Sequence, residues 1–211
     1  MKCIRNVIQF LKKEGKKIMK QIIEINGIKH QYYQNGKKSL LLVYPGVGYT
    51  GDKPLLYYGI QCALQNDYDV CVFSYGNLSF DIHHPMAYVQ QASLQVQAML
   101  QQLDVSQYDR IICLAKSIGT MIAYETTSHL KCSYFMLTPL KEVLHYHPHK
   151  NDILLCASDD PLVASSDIEM MKHSNAQVYI LKGNHSLECG NVQEDLRQLQ
   201  YIIQLFLEYV K

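Results

Sequence analysis

The sequence predicts a three-layer α/β/α sandwich built on a mostly parallel sheet. Three observations carry this. Apolar, strand-like runs recur at 39–44, 69–74, 110–115, 132–137, 153–157 and 177–181. Helical stretches at about 54–66, 86–103, 118–130, 165–174 and 192–210 separate them. The strands are apolar throughout rather than alternating, which is the pattern of a sheet covered on both faces. With 211 residues, 48% of them hydrophobic, the chain can bury one substantial core. No proline-rich, glycine-serine-rich or acidic linker divides it, so residues 19–211 are expected to form a single domain.

Residues 1–18 are set apart as a leader with two readings. Ile4, Val7, Ile8 and Leu11 have the spacing of a basic amphipathic helix lying on a membrane surface. Alternatively, Lys13-Glu14-Gly15 can be encoded by purine-rich codons that match a bacterial ribosome-binding sequence just ahead of Met19. The preferred reading is that the natural chain begins at Met19 and is bacterial, so the leader is excluded from fold reasoning. Residues 22–34 mix apolar and polar side chains and end at Asn35-Gly36, a hairpin signal. They are expected to pair antiparallel with Ser39–Tyr44. Asp52 is expected to cap a helix whose first turn holds Pro54, where the missing N–H costs nothing. Leu94, Ala98 and Leu103 form the apolar stripe expected to bury the glutamine-rich 86–103 helix.

Composition excludes several function classes. Residues 2–20 hold seven basic residues against one acid, so of the chain's 20 basic and 19 acidic residues, 13 and 18 remain in the body. A mildly acidic body argues against nucleic-acid binding. No apolar stretch approaches the roughly 20 residues a membrane-spanning helix requires, and nothing resembles a signal peptide. Cys62, Cys71, Cys113, Cys132 and Cys156 lie in apolar runs, as free thiols of a reducing cytoplasm do. The odd count of seven and the absence of Cys-x-x-Cys point to neither a disulfide framework nor a zinc knuckle. His145-Tyr146-His147-Pro148-His149 and His83-His84 lack a nearby carboxylate or cysteine at ligand spacing, so a solvated loop is expected and no metal. Gly46-Val47-Gly48-Tyr49-Thr50-Gly51 fits neither the dinucleotide nor the P-loop pattern, and no cofactor is expected.

Chemistry is concentrated at the carboxyl ends of the strand-like runs, where an open parallel sheet places its ligands. The run Arg110–Ala115 leads into Lys116-Ser117-Ile118-Gly119 and then a helix, which is the layout of a strand-to-helix elbow. Ala115 and Gly119 supply the small residues needed two before and two after the serine. Ile153–Ala157 leads into Ser158-Asp159-Asp160-Pro161, and Val178–Leu181 into Lys182-Gly183-Asn184-His185. The chain order is therefore serine, carboxylate, histidine.

These stretches, together with Tyr44-Pro45-Gly46-Val47-Gly48, resemble the α/β-hydrolase superfamily, in particular its small, nearly lidless serine hydrolases. The resemblance spans about residues 22–210. It implies that Ser117 is a nucleophile, His185 its base and Asp160, rather than Asp159, the orienting carboxylate, because the family pattern puts the acid directly before Pro161. It also implies an oxyanion hole from the backbone amides of Val47 and Ile118. The first glycine of the family's elbow is Ala115 here, and the His-Gly of many relatives is Pro45-Gly46.

Serine attacks only when a neighbouring base takes its proton, and the base needs a carboxylate to hold its tautomer. The alternative is structural, with Asp160 capping a turn and His185 capping the last helix. Gly46, Tyr49 and Lys116 are the candidates for contacting substrate. Lys116 either attracts an anionic group or projects to solvent, and the latter is preferred. Tyr75, Leu78, Phe80, His83, Leu140 and His145 are further candidates for the pocket rim. The dozen residues at 138–150, where lids are inserted, are too few for a lid domain. The expected activity is hydrolysis of a small carboxylic ester, a thioester or an amide through an acyl-enzyme. A non-catalytic ligand- or partner-binding protein and an acyltransferase with the same triad are the alternatives. Substrate identity and oligomeric state are left open.

Overall fold

A computed structural model describes residues 4–13, 16–81 and 83–211, with side chains described from residue 18 onward except at 82. Strands β1 (Ile4–Lys13), β2 (Lys16–Ile25), β3 (Ile28–Gln34), β4 (Ser39–Tyr44), β5 (Asp69–Val72), β6 (Arg110–Lys116), β7 (Ser133–Leu137), β8 (Ile153–Ala157) and β9 (Gln177–Leu181) form one sheet. Its order is β1-β2-β3-β5-β4-β6-β7-β8-β9. Strands β4 to β9 pair parallel, and β1 to β3 add an antiparallel flank.

Helices cover both faces, as the unbroken apolar strands require. On one side α2 (Pro85–Leu100), α3 (Gly119–Thr127) and α4 (Ser165–Lys172) pack over Leu40, Leu42, Tyr44, Cys113 and Ala115. On the other, α1 (Pro54–Gln65) and α5 (Val192–Val210) pack over Leu41, Val43, Ile112 and Leu114. Successive residues of one strand thus serve opposite cores, which is the period of 2 inherent to a strand. Phe206 of α5 meets Phe135 edge to face with ring centroids 4.9 Å apart. Truncating either ring would cost about 3–5 kcal/mol.

Several local expectations need correction. The leader is not a helix: Ile4–Lys13 is a strand paired residue for residue with β2, from Ile4 opposite Ile25 to Lys13 opposite Lys16. The β-branched Ile4, Val7 and Ile8 suit either element, and the open edge of β2 decides between them. Residues 1–3 and 14–15 lie outside the described residues.

The tight hairpin turn is Asn26-Gly27, both with positive φ (53° and 79°), between β2 and β3. Asn35-Gly36 lies in the link from β3 to β4 but is not a hairpin turn, because β5 lies between the two strands and they do not pair. The buried Asp69 carboxylate at the start of β5 accepts the backbone N–H groups of Asn35 (2.6 Å) and Gly36 (3.0 Å). It also accepts the hydroxyls of Tyr32 (3.0 Å) and Tyr108 (2.7 Å). A loop whose amides are claimed by a third strand cannot close a two-strand hairpin.

Lys53, not Asp52, is the N-cap of α1, with no side-chain capping bond, although Pro54 does occupy the first turn. Of the expected stripe on the α2 segment, Ala98 and Leu103 are buried but Leu94 is 64% exposed, and the buried face also takes in Tyr88, Val89, Ala92, Val96 and Met99.

Candidate active site

The elbow forms where expected. Ser117 follows β6 with φ 56°, in the left-handed region that L-residues avoid. Its N–H donates to Leu137 O (2.9 Å), and its carbonyl accepts the backbone N–H (2.9 Å) and hydroxyl (2.6 Å) of buried Thr120. These bonds hold the strained turn from both sides. Gly119 is required: a Cβ there would overlap the carbonyl oxygens of Tyr44 and Pro45. Gly46 approaches almost as closely, since its Cβ would lie 3.2 Å from Ser117 Cβ. Small residues at these two points let the loop after β4 press against the serine.

Three side chains from three strand ends converge. Ser117 Oγ lies 2.6 Å from His185 Nε2, and His185 Nδ1 lies 2.7 Å from Asp160 Oδ2. Asp160 has its carboxylate buried and its other oxygen occupied by the N–H of Leu162 at 2.9 Å. It therefore caps its turn and meets the imidazole at once. Asp159 is exposed and takes the hydroxyl of Ser158 instead. Burial opposes ionisation of Asp160, but the hydrogen bond from His185, the Leu162 N–H and the charges of His185 and Lys116 outweigh it and hold the carboxyl below its ordinary value. His185 does not cap the last helix. Asn191 does, accepting the N–H groups of Gln193 (3.1 Å) and Glu194 (3.2 Å).

The loop after β4 is closed by paired bonds between Gly46 and Tyr49, N–H to O at 3.1 and 3.2 Å. That consumes the Gly46 amide and leaves the amide of Val47 without a protein acceptor among the described residues. The Ile118 amide, at the start of α3, is equally free. Gly46 and Val47 line a cavity of about 390 Å³ together with Tyr75, Leu78 and Tyr88. Tyr49 lines a smaller one of about 220 Å³ with Leu55, Leu187, Leu199 and Ile202. Ser117, Asp160 and His185 line neither of these cavities, nor the hollows of about 400 and 630 Å³ elsewhere, although Ser186 and Leu187 beside His185 border the smaller one.

Of the expected rim residues, Tyr75 and Leu78 line the cavity beside Val47 and Tyr49 the smaller one, whereas others are placed differently. Tyr75 is buried and spends its hydroxyl on Pro45 O (3.1 Å), so it supports the loop from beneath. The half-buried Tyr49 accepts the Leu55 N–H with its hydroxyl (3.2 Å). Phe80 and Leu140 lie against other structure: Phe80 stacks edge-on with Tyr88, and Leu140 packs on the core. Lys116 neither projects to solvent nor lines either cavity. It is 1% exposed, with Nζ donating to His185 O (2.7 Å) and to Thr138 Oγ1. The parity of β6 explains this, because alternation turns Lys116 to the α1/α5 side that Ile112 and Leu114 also face. Thr138 and Thr120 were not singled out from the sequence. The available signal was a lysine closing an otherwise apolar strand.

Among the described residues, no group of three or more histidine, cysteine and carboxylate side chains could hold a metal ion. No helix among them is long and apolar enough to cross a membrane. No protein-family model matches the sequence, and no curated protein is similar to it in sequence. Solved structures are similar in fold. An esterase from Pyrococcus furiosus superposes with a TM-score of 0.64 at 14% identity, over 98% of this chain and 91% of that one. A serine hydrolase without a lid from Xanthomonas campestris superposes with a TM-score of 0.65 at 10% identity, over 98% and 94%. An alpha-beta serine hydrolase homologue from Coxiella burnetii gives 0.60 at 12%, over 96% of each. Nearly the whole chain is matched in each case, with the sheet and its helices in common, and the protein has the α/β-hydrolase fold.

Proposed function

We propose that the protein is a serine hydrolase that cleaves a small carboxylic ester through an acyl-enzyme on Ser117. The observation that carries this is the unbroken relay from Ser117 Oγ through His185 to the buried Asp160 carboxylate, at 2.6 and 2.7 Å. His185 Nε2 takes the serine proton as Oγ adds to the ester carbonyl, and Asp160 holds Nδ1 protonated and stabilises the imidazolium. The oxyanion of the tetrahedral intermediate is received by the free amides of Val47 and Ile118, the latter backed by the N-terminal end of α3. Collapse of the intermediate expels the alcohol, which leaves with the proton held on Nε2. Water then adds to the acyl-enzyme, His185 takes its proton, and the carboxylic acid is released as Ser117 regains its own.

Each step uses groups already in contact, which keeps the reorganisation at the moment of reaction small. The cavities beside Val47 and Tyr49 are large enough for small acyl and alcohol groups. A cytoplasmic location fits the free, mostly buried cysteines of the described chain.

The test is labelling by a fluorophosphonate followed by turnover of p-nitrophenyl esters of increasing acyl length. Wild type is expected to label once and to favour short chains, and Ser117→Ala to do neither. Equal labelling of Ser117→Ala would remove Ser117 from the role. A wild type that resists every probe yet binds a ligand tightly would leave a binding protein of the same fold.

A further inference from the structure

Granting the acyl-enzyme on Ser117, we propose that Lys116 is a positioning residue whose buried ammonium ties the His185 loop to the end of β7 and so holds the imidazole against the serine. Its ammonium makes two hydrogen bonds and one ring contact. One goes to the backbone carbonyl of His185 at 2.7 Å, one to Thr138 Oγ1, and the ammonium stands 5.3 Å from the centre of the Tyr49 ring. The ammonium therefore touches three loops that build the site: the one after β4, which carries Val47, the one after β7 and the one after β9, which carries His185.

Burial of a lysine is costly, and a methionine of similar length would fill the space without desolvating a charge. What the ammonium adds is a directed bond to the residue that must not move. Within 184–188 the backbone bonds run from Asn184 N to Glu188 O (2.9 Å) and from Leu187 N to Asn184 O (2.8 Å), closing the turn on itself, and Gln198 of α5 holds its far side by donating to Leu187 O (2.7 Å). Lys116 fastens that turn to the sheet. The attachment point is itself constrained, because Thr138 is a β-branched residue at φ 45°. Such residues persist in the left-handed region only where the surroundings over-determine them. Thr138 is held there by its own N–H to Leu155 O (2.7 Å) and by Lys116.

The charge also sets a pH range. Burial pushes the Lys116 ammonium down to about 8, an effect the Asp160 carboxylate partly offsets. The titratable groups that face it are Asp160 from the loop after β8, His185 from the loop after β9 and Tyr49 from the loop after β4. The Tyr49 phenol is raised by burial, with Glu188 adding to the effect, and stays neutral in this range. As pH rises through about 8, Lys116 loses its proton, its hold on the His185 carbonyl weakens and turnover falls. A serine-histidine-aspartate relay without this lysine has no such alkaline limb.

The experiment compares wild type, Lys116→Met, Lys116→Arg and Thr138→Val by ester hydrolysis between about pH 6 and 10 and by the rate of phosphonate labelling. Lys116→Met is expected to lower kcat by about 100-fold, the typical effect of misplacing a reacting group by ~1 Å, with KM within about twofold, and to lose the alkaline limb. Lys116→Arg should recover part of kcat and move the limb upward. Thr138→Val, which keeps the ammonium but removes one acceptor, should move the limb to lower pH, and it decides the matter if Lys116→Met fails to fold. A labelled, active wild type whose Lys116→Met keeps its kcat or its alkaline limb would overturn the positioning role alone, as would an unshifted limb in Thr138→Val. Failure of wild type to label would overturn the acyl-enzyme and the positioning role with it.

Discussion

Asp160→Asn removes one charge and no volume, and the structure says how it would act. Leu162 N–H donates to Asp160 Oδ1 at 2.9 Å, so in the variant the amide oxygen stays at that position. The amide nitrogen then replaces Oδ2 and faces His185 Nδ1 across the former 2.7 Å contact. Two donors cannot share one bond, so Nδ1 becomes the unprotonated nitrogen. The proton moves to Nε2, which can no longer accept one from Ser117.

The lost charge adds to the wrong tautomer. A carboxylate and an imidazolium 2.7 Å apart interact by about 6 kcal/mol at an effective dielectric constant of ~20, which corresponds to roughly 10⁴-fold in rate. The relevant assay is kcat/KM on a short p-nitrophenyl ester near neutral pH, alongside urea denaturation to show that the fold survives. The expected result is a loss of about 10⁴-fold with little change in stability. A variant within about 10-fold of wild type would refute the assignment of Asp160 as the group that orients His185.

Two further outcomes follow from the same contacts. Gly119→Ala should lower stability by about 2 kcal/mol and slow phosphonate labelling, since the new methyl group meets backbone oxygens of Tyr44 and Pro45 that cannot rotate away; an unchanged urea midpoint and labelling rate would contradict the close approach. Burial pushes His30 down to about 4 from an ordinary 6.5, so the folded chain excludes a proton that the unfolded chain accepts. Stability contributed by the neutral ring is full above about 6.5 and is lost as pH falls toward 4, a loss of about 3 kcal/mol. His30→Asn keeps an acceptor for the Ser74 N–H (3.2 Å in wild type) and should remove that part of the acid sensitivity in urea titrations; identical pH dependence in the two proteins would count against it.

Elements set by local pattern were legible in advance, and those set by distant partners were not. The strand β8 at Ile153–Ala157 and helix α5 at Val192–Val210 fall where apolar runs and periodicity put them. By contrast, Asn35-Gly36 has the composition of a hairpin turn, yet the Asp69 carboxylate, more than 30 residues away, claims its amides. Leu94 has the spacing of a core residue together with Ala98 and Leu103, yet it alone of the three is left exposed, because spacing does not say where the buried face ends. Ile4–Lys13 carries a helix-compatible spacing and is a strand because β2 offers it an edge.

The amino-acid order by itself determined the alternation of strands and helices, and with it the placing of a serine, a carboxylate and a histidine at strand ends on one side of a parallel sheet. Those features follow from periodicity and turn chemistry, which act over a few residues. The resemblance pointed to Asp160 and to the Val47 and Ile118 amides, but only the tertiary structure decided that Asp160 is within reach of His185 while Asp159 faces away, and that Lys116 turns inward beneath the histidine loop. The Ser117 and His185 side chains meet across 68 positions of chain and the His185 and Asp160 side chains across 25. Contacts at such separation depend on strand order, helix rotation and sub-ångström packing, none of which is encoded in any local window of sequence.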